Sequence, residues 1–123
     1  KEVNDVMGNR VGDQLLKVVS KRTEDLLRKS DTIARMGGDE FLLLLPEISQ
    51  IEDAAKIARK IINSFKNPFV INYQKIHITT SIGIVIYPED GEDSETLIKN
   101  ADIAMYQVKE KGRNNYQFYK KLI

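Results

Sequence analysis

The chain has 123 residues, 41% hydrophobic and 30% charged, a length and composition that fit one globular domain. Nineteen basic and 18 acidic residues leave a formal net charge of +1, so no overall field favours nucleic acid or an anionic membrane. Cysteine is absent, which excludes a disulfide scaffold and thiolate chemistry.

The first half of the chain predicts two helices separated by a β-hairpin. Apolar residues at helical spacing indicate a first helix from Val11 to Leu27. Two apolar runs around a Gly-Gly pair then predict the hairpin, which ends before Pro46. Ser49 and Glu52 have the spacing of a capping box, so a second helix is expected with Ser49 as its N-cap residue.

The second half predicts another strand pair, a third helix and a closing strand. Phe69–Ile71 and Ile76–Ile86 are expected to pair, and alternate isoleucines share one face of the longer strand. The third helix extends from Ser94 to Lys111, with Gly112 after its end, and Tyr116–Tyr119 forms an edge strand. These elements predict an α+β fold, a mainly antiparallel sheet with packed helices, in a single domain spanning residues 1–123.

The hairpin tip has the composition of a ligand site, in the run from Met36 through Gly37, Gly38, Asp39 and Glu40. Paired glycines can adopt positive φ and let a ligand approach the backbone N–H groups. Two adjacent carboxylates suit a hard cation such as Mg²⁺, which favours one or two carboxylates plus substrate phosphates. The alternative is a hairpin tip whose acids are merely solvated.

Three further segments accompany this tip: Lys1–Asp13, Thr79–Ile84 and Ala101–Asn114. In this order and spacing, they and the Gly-Gly-Asp-Glu-Phe run resemble the signature of the GGDEF family, the diguanylate cyclases. The resemblance implies the ferredoxin-like fold of nucleotidyl cyclases and polymerase palms. It also implies a leading helix and a first central strand ahead of Lys1, with a further metal-binding aspartate. We therefore expect an N-terminally truncated fragment that lacks part of its carboxylate cage and depends on upstream residues for activity.

The resemblance implies that the domain condenses two GTP molecules into cyclic di-GMP and pyrophosphate, by attack of each 3′-OH on an α-phosphate with the help of Mg²⁺ or Mn²⁺. Glu40 and Asp39 match the catalytic and metal-binding positions. The implied substrate-binding residues are Asn4, Asp13, Leu16, Gly37, Gly38, Lys109 and Arg113. Some of these residues also have purely structural explanations. Asn4 could form a turn, Asp13 could cap a helix, and Lys109 and Arg113 could be cations that stabilise a helix C-terminus.

Arg28 and Asp31 resemble the family's R-x-x-D motif, which binds cyclic di-GMP away from the active site and inhibits the enzyme. Arginine can clamp phosphate or stack on guanine, and aspartate can accept hydrogen bonds from the base. Arg59 or Lys60 could complete such a site. The alternative is a charge pair at a helix end.

The resemblance also implies bacterial signalling from the cytoplasm by a homodimer in which each half-site holds one GTP, with no nucleic-acid partner. The run from Asn114 to Tyr119 resembles the junction that precedes an EAL phosphodiesterase domain. A second hypothesis is therefore a regulatory GTP-binding domain that controls an adjacent EAL domain. The sequence leaves open whether a membrane anchor lies outside the given chain.

Overall fold

The computed structural model describes residues 9–37 and 40–120. The described residues form the helices α1 (Asn9–Glu24), α2 (Ile51–Ser64) and α3 (Ser94–Glu110) and the strands β1 (Thr32–Gly37), β2 (Glu40–Leu44), β3 (Phe69–Ile71), β4 (Gln74–Ile76), β5 (Ser81–Ile84) and β6 (Asn115–Phe118). They belong to two compact units, the first formed by Lys1–Ser49 and Asn67–His77 and the second by Gln50–Lys66 and Ile78–Ile123. None of the helices in this part of the chain is both long enough and apolar enough to cross a membrane.

The first unit packs α1 against β1 and β3. The predicted helix is confirmed, but it ends at Glu24 rather than Leu27 because Leu26 and Leu27 donate to carbonyls only three residues back, at Thr23 and Glu24. The helix presents one apolar stripe, as its spacing predicts. The buried residues in the described part of this unit are Gly12, Leu15, Val19, Thr23, Phe69, Ile71 and Ile76.

The strand predicted from Ile76 to Ile86 is wrong as one continuous element. β4 ends at Ile76, where it pairs with Phe69, and residues 77–80 separate it from β5. The next pairs across this ladder would join residues 77–80 to residues 65–68, but residues 65–67 form the turn that follows α2 and are not extended, so β4 has no partner beyond Ile76. The two strands of the short hairpin are instead joined by Asn72 and Tyr73, whose φ values of 51° and 66° suit a tight two-residue turn.

The second unit contains a β–α–β crossover in which α3 connects β5 to β6. Strand β6 confirms the predicted closing strand, one residue earlier than expected, and pairs with β5 in parallel. The other two ladders in the described residues are antiparallel. A 17-residue helix between β5 and β6 allows the chain to return to the same end of the sheet, which a parallel pair requires.

Helix α2 packs against β5 and β6 in the second unit. Its predicted capping box is wrong by one residue: Gln50 is the N-cap, and its backbone N–H donates to Asp53 Oδ2 at 3.1 Å. Glu52 is not the capping acid, since with Gln50 as N-cap the third helical position is Asp53; the Glu52 carboxylate instead pairs with Arg59 at 2.8 Å. The buried residues of this unit are Ala54, Ala55, Ala58, Ile61, Phe65, Ala104 and Val108.

Candidate functional site

The β1–β2 hairpin places Gly37 opposite Glu40 at its tip. The ladder shifts register between Arg35 and Gly37, so the strand is irregular just before the glycine. Glu40 is exposed and begins β2, while Phe41 behind it is half-buried. Gly38 and Asp39 lie outside the described residues. Within this hairpin, the described geometry thus presents the Glu40 carboxylate to solvent beside a glycine backbone.

Helix α1 carries two of the residues proposed to bind the base. Asp13 is exposed and Leu16 is half-buried. Since the helix begins at Asn9, Asp13 lies within it, and the alternative that Asp13 caps the helix is wrong. An exposed carboxylate can accept two hydrogen bonds from the edge of a base. Asn4 lies outside the described residues.

The C-terminal end of α3 holds the two candidate phosphate-binding cations in the second unit. Lys109 is half-buried in the last helical turn, and Arg113 is exposed. Gly112 donates to the Lys109 carbonyl at 3.4 Å and Arg113 to the Val108 carbonyl at 3.0 Å. These two bonds form a Schellman motif, which confirms Gly112 as the residue after the C-cap.

The Schellman motif leaves Arg113 and Asn114 with φ values of 66° and 57°. Arginine has no local hydrogen-bonding advantage in this left-handed region, whereas asparagine is one of the residues that tolerate it. Strained backbone of this kind is concentrated at functional sites. A cation held there next to a helix end can contact an anion, and Lys109 also suits the negative end of the helix dipole.

Arg28 and Asp31 bind each other in the first unit. Arg28 donates from Nη2 to Asp31 Oδ1 at 3.0 Å and from Nε to Oδ2 at 3.2 Å, while its backbone N–H also donates to Oδ2 at 2.9 Å. The Asp31 side chain has 0% exposure, and Arg28 retains 47%. The hydrogen bond from the Arg28 side chain holds the pKa of Asp31 below its usual value, although burial of the carboxyl partly opposes this. Because α1 ends at Glu24, the pair lies in the loop before β1 and not at the helix end; Arg28 Nη1 also donates to the Glu47 carbonyl at 2.8 Å.

Arg59, named in the sequence analysis as a possible product-site residue, has its own partners within the second unit. It donates to Glu52 Oε1 at 2.8 Å and to the Tyr116 hydroxyl at 2.9 Å. These hydrogen bonds, the one to Glu52 first, raise its pKa. The sequence prediction missed the open groove of about 610 Å³ beside Arg59, which is lined by Lys56, Arg59, Lys60, Ile62, Asn63, Lys66, Asn115 and Tyr116. The sequence signal that could have revealed this groove was the spacing of its lysines along one face of the predicted helix.

The donor chemistry at the hairpin tip fits a magnesium or manganese ion. Among the residues that the structure describes, no three His, Cys, Asp or Glu side chains are grouped to hold a metal. Mg²⁺ does not need such a cage, because it commonly takes one or two carboxylates and completes its shell with water and substrate phosphates. The exposed Glu40 carboxylate can serve as one of these oxygen ligands.

The fold and the acid-bearing glycine hairpin define an α+β domain of the nucleotidyl-cyclase palm type. The match to the family described as "Diguanylate cyclase, GGDEF domain" covers residues 1–115, and the chain belongs to this family. The resemblance of its motifs to that family is therefore confirmed.

Relatives and a solved structure agree with this assignment. The chain is 45% identical over 119 residues to the bifunctional diguanylate cyclase/cyclic di-GMP phosphodiesterase MucR of Pseudomonas aeruginosa, covering 97% of the chain and 17% of MucR. It is 42% identical to the cyclic di-GMP phosphodiesterase NbdA of the same organism, covering 97% of the chain and 15% of NbdA. The chain therefore spans less than a fifth of each relative. The crystal structure of the GGDEF domain of TpbB from P. aeruginosa is similar with a TM-score of 0.93 and 36% identity, over 98% of this chain and 76% of that one.

Proposed function

We propose that the domain condenses two GTP molecules into cyclic di-GMP. The observation that carries this proposal is the family signature with its acids intact: Glu40 follows Gly37, Gly38 and Asp39, and its carboxylate is exposed opposite Gly37. Each ribose 3′-oxygen bonds to the α-phosphorus of the other nucleotide, and the bond from that phosphorus to the β-phosphate bridge breaks. Two pyrophosphates leave and two hydroxyl protons are released.

The hairpin supplies the groups nearest to the reacting atoms in this proposal. The backbone of Gly37 and Gly38 lies against the phosphates, where a side chain would interfere. Glu40 accepts the 3′-hydroxyl proton or joins Asp39 in binding Mg²⁺ or Mn²⁺. When bound, such an ion lowers the pKa of the attacking hydroxyl and offsets the negative charge of the leaving pyrophosphate.

The other candidate residues bind and orient GTP. Asp13 accepts from the guanine N1–H and amino group, Asn4 can both donate and accept, and Leu16 packs against the base. Lys109 supplies a point charge and Arg113 a forked donor for the triphosphate. Because one such site holds one GTP, the reaction requires a homodimer that brings two nucleotides together.

Product control at Arg28 and Asp31 forms part of the same proposal. About half of the Arg28 side chain is accessible, at 47%, so its guanidinium could stack on a guanine or bind a phosphate while Asp31 fixes its position. Cyclic di-GMP is then both product and inhibitor. This role would explain why the Arg28 side chain remains about half exposed although its partner Asp31 is buried.

A regulatory domain is the second candidate function. The relatives named above include a bifunctional enzyme and a phosphodiesterase, and this chain spans only 17% and 15% of their lengths. In such a protein, GTP binding at the same residues would stimulate a phosphodiesterase domain elsewhere on the polypeptide. Asp39 and Glu40 favour the cyclase, because GTP recognition alone does not require both acids.

The test uses the full-length protein, with Mg²⁺ and GTP, and measures cyclic di-GMP formation. We expect Glu40→Gln and Asp39→Asn each to lower turnover at least a hundredfold, since both remove charge at the reacting centre. Glu24→Gln, on an exposed residue at the end of α1, should leave turnover unchanged. If the protein without substitutions forms no cyclic di-GMP but GTP stimulates its phosphodiesterase activity, the regulatory function is correct instead.

A further inference from the structure

Charge is strongly segregated along the second half of this nearly neutral chain. Residues 54–88 contain five Lys or Arg and no Asp or Glu, whereas residues 89–95 contain five Asp or Glu and no Lys or Arg. Such blocks are uncommon on a surface where both signs are normally mixed. Two oppositely charged surfaces on one domain can recognise each other between copies.

The positive surface is the open groove of about 610 Å³ in the second unit, here named the basic groove. Its polar lining consists of Lys56, Arg59, Lys60, Asn63, Lys66, Asn115 and Tyr116, with no acidic residue among them. The three lysines are exposed, and each makes no ion pair with any residue in the described ranges. Arg59 is partly neutralised by Glu52, so the lysines supply most of the uncompensated charge.

The negative surface is the segment of residues 89–95, a loop that leads into the first two residues of α3; it is here named the acidic loop. Two of its five acids hold its shape: Asp90 accepts from the Ile86 N–H at 2.7 Å, and Asp93 accepts from the Thr96 N–H at 2.7 Å as the cap of α3. Asn100 also donates to the Asp90 carbonyl at 2.7 Å. The loop is therefore preorganised, and binding it costs little additional ordering.

The other three acids of the loop remain available to a partner. Glu89, Glu92 and Glu95 are exposed and form no ion pair with the described part of the chain. Three uncompensated carboxylates on a fixed loop match the three uncompensated lysines of the basic groove in number and sign. The groove is open, and its lysines are long and flexible, which suits a protruding protein loop better than an enclosed small molecule.

We infer that the basic groove of one copy of this chain binds the acidic loop of a second copy. The contact is electrostatic, so it weakens as the ionic strength rises. In a two-fold pair it forms twice, because groove and loop are each present on both copies. It needs no nucleotide and is distinct from the GTP-bridged pairing proposed for catalysis.

A carbodiimide coupling experiment on the full-length protein, in the absence of GTP, tests this contact. The reagent joins a lysine amine to a carboxylate only when the two are in contact, and a mixture of isotopically light and heavy protein identifies links between copies. We expect intermolecular links from Lys56, Lys60 or Lys66 to Glu89, Glu92 or Glu95. Their yield should fall several-fold when the salt concentration rises from roughly 0.05 M to 0.5 M.

Charge reversal supplies the matched variants. Lys56→Glu with Lys66→Glu should lower the yield of these links about tenfold, because attraction becomes repulsion at two positions. Mixing that variant with Glu89→Lys/Glu92→Lys protein should restore intermolecular links, now with the charges exchanged. Lys75→Glu changes an exposed lysine outside the groove and should have no effect.

All these substitutions are on exposed side chains, and unchanged thermal unfolding verifies that each variant is folded. The inference is overturned if groove and loop give no intermolecular links, or if the links persist at the same yield in the doubly reversed groove variant. The inference is also overturned if the groove lysines form links only to other carboxylates of the full-length protein and none to the acidic loop. The groove would then bind another part of the same chain.

Discussion

Gly83 of β5 lies directly against the backbone of α3, where a Cβ atom would overlap the carbonyl oxygen of Ala101. The same Cβ would lie 2.5 Å from the backbone nitrogen of Met105 and 3.1 Å from the Ala104 side chain. The missing side chain therefore allows close approach of helix and strand. This packing fixes α3, whose last turn carries the candidate phosphate ligand Lys109.

Gly83→Ala should lower the free energy of unfolding by about 2–4 kcal/mol, because backbone atoms cannot move aside without shifting the helix. Chemical denaturation of the purified variant measures this loss. Gly112→Ala is the comparison, since its added Cβ meets nothing within 4 Å and only the positive φ of 115° opposes it. An equal loss for both glycines would contradict close packing as the cause.

The periodicity of the sequence predicted all three described helices and most strands, because each buried face repeats at a fixed spacing. It did not predict partners. The alternation of burial continues through Ile78 and Thr80, which are less exposed than His77 and Thr79, but the residues that would pair with this stretch form the turn after α2. Pairing depends on residues distant in sequence, and alternation alone does not report them.

The sequence predicted which residues belong to the candidate site, but it did not predict the contacts that those and neighbouring residues make. The spacing from Ser49 to Glu52 resembles a capping box, but the structure uses Gln50 and Asp53 one residue later, and Glu52 pairs with Arg59 instead. Arg59 and Glu52 are seven residues apart, a helical relation that a local motif does not include. The hairpin itself was predictable from the two apolar runs around its contiguous glycines.

Arg22 should be important for the stability of the first unit. It donates to the carbonyls of Asn67 and Pro68 at 2.6 and 2.9 Å, and its guanidinium lies 3.6 Å from the centre of the Phe69 ring. Arg22→Ala should cost about 2 kcal/mol in urea unfolding, since charged hydrogen bonds and a cation–π contact are lost together.

Arg22→Lys should lose less unfolding free energy than Arg22→Ala but should remain less stable than the parent, because lysine lacks the planar guanidinium and stacks less well on Phe69. Lys21→Ala is the matched control on the neighbouring residue. Its ion pair with Asp25 is solvent-exposed, with side-chain exposures of 71% and 62%, so no measurable change is expected. A loss in Lys21→Ala as large as in Arg22→Ala would refute the specific role of Arg22.

The Arg28–Asp31 pair should make stability depend on pH in the acid range. The pKa of Asp31 is lower in the folded state, so its stabilisation is complete above the unfolded pKa and is lost as the pH falls through the lowered folded value. Asp31→Asn should therefore destabilise by about 1 kcal/mol near neutral pH.

Urea unfolding at a series of pH values tests this sign. The difference between the parent and Asp31→Asn should be constant down to the ordinary aspartate pKa and shrink below it. Arg28→Gln should produce the same convergence, because it removes the first cause of the lowered pKa. A difference that grows with acidity would show that the pKa is raised rather than lowered.

Asp93 should stabilise α3 as its N-cap residue. Its Oδ1 accepts from the Thr96 backbone N–H at 2.7 Å, and hydrogen bonds from Thr96, the backbone one first, lower its pKa. Asp93→Ala should reduce the melting temperature by a few degrees at neutral pH, and the difference should diminish as the pH falls through the lowered pKa. Asp93→Ser, which retains a capping oxygen that does not titrate, should lose less at neutral pH, and its difference from the parent should shift with acidity in the same direction because the titrating carboxyl is in the parent.

Arg113 allows backbone strain and ligand binding to be separated, if the proposed function is correct. Arg113→Gly removes the cation and relieves the positive φ of 66°, so stability should change by less than about 1 kcal/mol. The KM for GTP should rise about tenfold because a forked contact to the triphosphate is lost. Asn114→Gly makes a similar backbone change at a φ of 57° without removing a charge, so its kinetics should match the parent. Equal KM values for both glycine variants would mean that Arg113 does not contact the nucleotide, whereas Arg113→Lys with an intermediate KM would indicate that charge and fork each contribute.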